Sequence, residues 1–116
     1  MRDIDLKDRT KQFALRIVRL YRALPSKPDA EIIGKQLLRS GTSVAANYRA
    51  TCRARSKADF LSKIGIVLEE ADETALWLEL LGESGIVSPQ RLKEILKEAN
   101  ELVAILVASR KTATQG

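Results

Sequence analysis

Two groups of side chains in this 116-residue chain have the types and spacing to do chemistry. Glu69, Glu70 and Glu73, followed by Glu98 and Glu101, repeat a carboxylate every three or four residues. On helices such a spacing stacks carboxylates on one face, and carboxylates with water are what a hard divalent cation such as Mg²⁺ takes as ligands. Arg49, Arg53, Arg55, Lys57 and Lys63 form the second group, relieved locally by Asp59 alone. A cationic cluster of that density attracts phosphate. Its opposite reading is a solvated helix end. Histidine is absent, which removes histidine triads, imidazole proton shuttles and histidine zinc sites. Ser62 and Lys63 make no nucleophile pair, because adjacent helical residues point about 100° apart.

A third set is polar without being reactive. Gln36, Arg39, Ser40, Ser43 and Asn47 run beside the apolar stripe of Ile33, Leu37, Val44 and Tyr48. Polar groups that near a core must be hydrogen-bonded or they cost stability. Glu70 lies between Ile66 and Trp77 on a secondary face, where a carboxylate needs a cation. The guanidinium of Arg39 suits that task. The expectation is a structural network of Gln36, Arg39, Ser40, Ser43, Asn47 and Glu70 that fixes the register of two helices.

The elements that must position these groups are helices. Leu6, Thr10, Phe13, Ile17, Leu20 and Leu24 alternate by four and three, predicting helix 1 over about 6–24, stopped by Pro25. Asp29 is the N-cap candidate of helix 2, which runs to about Ala54. Gly41 inside it predicts a kink, a close approach or a break into two short helices. Ser56 caps helix 3, which runs to about Leu81 before Gly82 and Gly85. Its main face is Phe60, Ile64, Val67, Leu68, Ala71, Ala75 and Leu78; Ile66, Trp77 and Leu81 make a second. Ser88-Pro89 opens helix 4, which ends near Arg110. Its inward residues are Leu92, Ile95, Leu96, Ala99, Leu102, Val103 and Leu106, leaving Ile105 and Val107 outside. Residues 111–116 read as a frayed tail.

Scarce aromatics (4%) and few Gly or Pro favour helices, and 45% hydrophobic with 30% charged residues fits one soluble domain over 1–110. Four helices with short loops give an all-α, antiparallel up-down-up-down four-helix bundle. Apolar residues outside the main stripes call for cover, which a homo-oligomer supplies. Cys52 stands alone, so no intrachain disulfide forms; it reads as a small half-buried side chain. The net charge of +5 raises the odds of a polyanionic partner. The longest apolar run, Leu102–Ala108, is far short of the ~20 residues of a membrane span. The first residues lack a signal-peptide core, and the expected location is the cytoplasm.

The segment Gln36-Leu37-Leu38-Arg39-Ser40, then Ser43, Ala46-Asn47, Asp59-Phe60, Glu73-Thr74 and Trp77-Leu78, resembles the 23S rRNA-intervening-sequence protein family, or S23-type four-helix bundle proteins. The similarity spans about Phe13 to Val107. Many members continue with an Asn-x-Ala-Glu-Gly-like segment, whereas this chain has Asn47-Tyr48-Arg49-Ala50-Thr51. The resemblance implies a bundle assembled as a homopentameric barrel, with no established catalytic residues and no cofactor. It is also distantly similar to the accessory variability proteins of retroelements, in which a positively charged pentamer works with a reverse transcriptase and nucleic acid. Separately, Glu69-Glu70-x-x-Glu73 resembles the Glu-Glu-x-x-Glu element of all-α nucleoside triphosphate pyrophosphatases, with Glu98-x-x-Glu101 where a Glu-x-x-Asp would stand. The sequence thus points to a non-catalytic oligomeric module that binds RNA or DNA, or is an accessory to a nucleic-acid enzyme, or is a scaffold that binds a protein partner through outward apolar residues such as Trp77, Ile105 and Val107. The alternative is a Mg²⁺-dependent nucleotide pyrophosphatase.

Overall fold

The computed structural model describes residues 5–115. Four helices follow in order: α1 (Leu6–Ala23), α2 (Pro28–Thr51), α3 (Lys57–Glu83) and α4 (Pro89–Gln115). The described residues contain no strand. Each helix packs against its neighbours in sequence, and α1 also meets α4. The core is built from the expected stripes: Phe13, Ile17, Leu37, Val44, Ile64, Val67, Leu78, Leu102 and Leu106 are all fully or almost fully buried.

Helix starts follow local chemistry. The Asp5 carboxylate accepts the Asp8 amide at 3.0 Å, and the Ser56 hydroxyl accepts the Asp59 amide at 3.0 Å, each satisfying a donor that the first turn leaves open. Helix α2 differs from expectation. Its N-cap is Lys27, which makes no side-chain cap, and Pro28 occupies the first helical position. Asp29 lies inside the first turn, where its carboxylate accepts the Ala30 amide at 2.8 Å. Proline needs no amide partner there, so the start tolerates a lysine cap.

The ends depart further. Helix α2 closes at Thr51, three residues before the expected Ala54. Helix α3 runs past Gly82 to Glu83, and Gly85 takes the left-handed turn at φ 81°. The Val87 amide then donates back to the Leu81 carbonyl at 3.1 Å, a reversal only a residue such as glycine makes without strain. This closure buries Leu81 completely, so it belongs to the core and not to the second face. Helix α4 continues through Gln115, so the expected fray over 111–115 is replaced by helix; Gly116 lies outside the described residues. Lys, Thr, Ala and Gln give no apolar period there, but nothing among them breaks a helix.

Gly41 marks a close approach and not a break, for α2 is continuous through it. A Cβ at Gly41 would sit 2.8 Å from both Cγ atoms of Ile17. Gly34, two turns earlier on the same side, would bring a Cβ to 2.7 Å of Leu24. These two glycines let α1 lie against the backbone of α2. Gly65 is the contrast, because a Cβ there meets nothing within 4 Å. Gly65→Ala is therefore expected to stabilise the protein by about 0.5–1 kcal/mol through helix propensity alone, read as a raised midpoint in thermal unfolding.

Buried hydroxyls are satisfied within their own helices. Thr10 donates to the Leu6 carbonyl at 2.7 Å, and Thr51 to the Asn47 carbonyl at 2.8 Å. Among the described residues no buried side-chain polar atom lacks a partner.

Candidate functional site

The α2–α3 seam carries a polar cluster held by Arg39. Its Nη1 donates to Glu70 Oε1 at 3.2 Å, its Nη2 donates to Glu73, and its Nε donates to Gln36 Oε1 at 3.2 Å. Trp77 Nε1 donates to the same Glu73 carboxylate at 3.1 Å. The guanidinium is held above its ordinary pKa, chiefly by the Glu73 hydrogen bond. Beneath this cluster, Ser40 and Thr74 are completely buried, and their hydroxyl oxygens lie 2.8 Å apart across the seam. Thr74 Oγ1 is also 2.7 Å from the Glu70 carbonyl.

Of the six residues expected in the network, the structure brings Gln36, Arg39 and Glu70 together. Ser40 joins through Thr74 in a separate buried contact. Asn47 does not reach across; its amide donates to the Ser43 carbonyl at 2.9 Å within α2. Ser43 supplies only that backbone acceptor. Glu73, Thr74 and Trp77 are the partners that the sequence reading left out of the network. Glu73 and Trp77 carry a signal in their spacing of one turn, whereas Thr74 carries none until Ser40 is placed opposite it.

Exposed apolar residues recur at helical spacing on the face that carries Arg39. Ile32 and Arg39 are seven residues apart on α2, and Ile66, Glu73 and Leu80 are seven apart on α3. A spacing of seven returns to the same helix face with only about 20° of drift. The Arg39–Glu73 pair is thus flanked by Ile32, Ile66 and Leu80, with relative exposures of 67%, 44% and 36%. Leu76 on α3, Leu15 on α1 and Val107 on α4 are also exposed, whereas Trp77 and Ile105 are half-buried.

The five carboxylates considered for Mg²⁺ do not converge. Glu70 and Glu73 are held by Arg39, and Glu69 points elsewhere on an exposed face. Glu98 is gripped by Arg9 in two bonds of 2.7 Å, and Glu101 by the same guanidinium at 2.8 Å. Arg9 is pushed above its ordinary pKa, chiefly by the Glu98 hydrogen bond. Among the described residues no three acidic, cysteine or histidine side chains are grouped to hold a metal. Glu70 with Glu73, and Glu98 with Glu101, are each drawn to an arginine of a neighbouring helix, so both pairs face cations already supplied by the chain. The sequence shows the carboxylate spacing but not Arg9, which is 89 residues away from Glu98.

The cationic residues divide. Arg53, Arg55 and Lys63 line one open groove at the α2–α3 turn, together with Ala50 and Asp59. Asp59 Oδ1 accepts from Lys63, and its Oδ2 accepts the Arg55 amide at 3.1 Å. The Lys63 bond, with the Arg55 amide second, holds the Asp59 carboxyl below its ordinary pKa. Asp59 therefore organises the turn and neutralises Lys63, leaving Arg53 and Arg55 as the groove's unpaired cations among the described residues. Arg49 faces a different depression, beside Asp5, Lys7, Asp8 and Lys11 of the α1 start. Lys57 is exposed and lines neither. Cys52, expected half-buried, is exposed as the C-cap residue of α2. Tyr48 and Phe60, the aromatics nearest the cluster, are half-buried and packed on the core, so neither is free to stack on a base.

The described residues form an all-α protein of four helices, with a polar α2–α3 seam and a cationic turn. The chain matches the family described as 23S rRNA-intervening sequence protein over residues 2–108, and it belongs to that family. It is also similar to a crystal structure of a protein of unknown function from the S23 ribosomal protein family of Bacteroides thetaiotaomicron. The two are 40% identical, with a TM-score of 0.85, covering 90% of this chain and 97% of the other. No curated protein matches the chain. Among the described residues, no helix is long and apolar enough to cross a membrane.

Proposed function

We infer that the protein is a non-catalytic, cytoplasmic, oligomeric module that binds RNA or DNA through its α2–α3 turn and serves as an accessory to a nucleic-acid enzyme. The observation that carries this is the groove of Arg53, Arg55 and Lys63, flanked by exposed Lys57, with Asp59 as its single carboxylate. Contacts of this kind go to phosphates and carry little sequence information. Fluorescence anisotropy with labelled single-stranded RNA and DNA at low salt tests it. Binding that weakens steeply as salt rises is expected, and no binding to either polymer would reject the reading.

The reading takes the helices as an antiparallel, up-down-up-down bundle. Support comes from the α1–α2 register, where Gly34 lies against Tyr21 and Leu24 while Gly41 lies against Ile17. It takes the assembly as a homopentamer whose copies meet on the α2–α3 face of Ile32, Ile66 and Leu80. The Arg39 cluster suits such a place, because its guanidinium binds both carboxylates and so lowers the cost of taking them from water. Repetition around a ring would gather the cationic turns into one surface. Arg39→Met tests the face: it strands Glu70 and Glu73, so a smaller particle by analytical ultracentrifugation is expected. An unchanged particle with unchanged thermal stability would contradict it.

A further inference from the structure

We propose that the groove between α1 and α4 is a second phosphate-binding site, which takes the backbone of a nucleic acid independently of the α2–α3 turn. Arg16 and Arg19 of α1 and Arg91 of α4 line it, over a floor of Leu20 and Ile95, with Glu94 as its one carboxylate. None of these residues belongs to the cationic turn. Arg16 and Arg19 are three apart and so share a helix face. Arg16 is half-buried, while Arg19 and Arg91 are exposed.

The contrast with the other seam arginines carries the argument. Arg9 and Arg39 each hold two carboxylates. Among the described residues, none of Arg16, Arg19 and Arg91 lies within the 4 Å of a salt bridge to any carboxylate, Glu94 included. Three guanidinium groups against one carboxylate leave the groove with a net charge of +2 (three minus one). Like charges lining one groove repel, and an anion relieves them. Guanidinium forks match phosphate oxygens in paired hydrogen bonds.

The floor decides between anion classes. Ile95 is only 6% exposed and Leu20 is half-buried, so an amphipathic acidic helix would find almost no apolar surface to cover. Without that burial, an acidic protein segment gains only screened surface ion pairs. A nucleic acid needs no apolar floor, since its affinity comes from phosphate neutralisation and counterion release. The site rests on the nucleic-acid reading above, and its test separates the two.

The experiment measures binding of labelled single-stranded RNA from about 0.05 to about 0.3 M salt, by anisotropy, for three proteins. They are the wild type, Arg53→Ala with Arg55→Ala, and Arg16→Ala with Arg19→Ala and Arg91→Ala. Loss of three phosphate contacts is expected to make the slope of log K against log salt shallower by about 2 in the triple variant. The corresponding triple lysine variant keeps the charge and is expected to keep the slope. Circular dichroism confirms that each protein is folded. Wild-type protein that binds no RNA or DNA overturns both readings. Binding that the turn variant weakens and the triple variant leaves unchanged overturns this site alone. Polyglutamate binding that the triple variant loses, with RNA binding unaltered, also overturns it and gives the groove to an acidic protein partner.

Discussion

Gly41→Leu is expected to destabilise the protein by about 3 kcal/mol, the upper part of the range for overpacking a filled core. The collision begins at the first added atom. A Cβ at position 41 sits 2.8 Å from Cγ1 and Cγ2 of Ile17 and 3.1 Å from its Cβ. Ile17 is completely buried and β-branched, so its χ1 cannot turn away without meeting other core atoms. Gly41→Ala should be milder. About 2 kcal/mol of overpacking is offset by about 1 kcal/mol of helix propensity, leaving a net loss of about 1 kcal/mol. Ile17→Ala opens a cavity that the leucine of Gly41→Leu can refill. The double variant should therefore be more stable than the sum of the singles by about 2 kcal/mol. Urea unfolding at one fixed protein concentration measures all four variants. Additive losses would show that α1 and α2 do not touch at this point.

The second large effect falls on binding. Arg53→Ala with Arg55→Ala removes the two groove cations that form no salt bridge among the described residues. If each makes one phosphate contact, counterion release assigns it about 0.7 of a logarithmic unit of affinity at 0.1 M salt. The pair is then expected to cost about 25-fold in affinity for single-stranded RNA, with a salt slope shallower by about 1.4. Lys63→Ala should cost less, because Asp59 already holds that ammonium. An affinity unchanged by the double variant would remove the turn from the interface. The same loss for every sequence tried is expected, since neither Tyr48 nor Phe60 is free to stack.

Much of the fold was legible because apolar period and helix punctuation agree. Pro25, Asp29, Ser56 and Pro89 mark one stop and three starts within a few residues of where they fall. The departures have physical causes. Gly82 was read as an exit, yet a glycine followed by Glu83 continues a helix, and the reversal waits for Gly85. Leu81 reads from spacing as part of a second face because its burial goes with that later turn, which brings the Val87 amide back to its carbonyl. The extension of α4 to Gln115 leaves no signature, since polar helix formers have no apolar period to read.

The candidate site was legible in its residue types and only partly in its pairings. Arg39 and Glu70 stand out because each is a charge beside an apolar stripe. Thr74 does not, for a threonine in a helix is unremarkable until Ser40 is placed opposite. Arg9 was invisible as a partner of Glu98 because no local spacing relates α1 to α4. That missing pairing is why a carboxylate repeat looked like a metal motif. The cationic run also looked continuous in sequence, whereas the helix ends direct Arg49 toward α1 and Arg53, Arg55 and Lys63 toward the turn.

Native mass spectrometry of the protein with and without a short single-stranded RNA tests the central claim most directly. The account predicts one dominant particle of five chains, each of 12.9 kDa. It also predicts a second peak heavier by the mass of bound RNA, which fades as volatile salt is raised. A single-chain particle whose mass does not change with RNA would contradict both the shared face and the cationic surface it is meant to assemble.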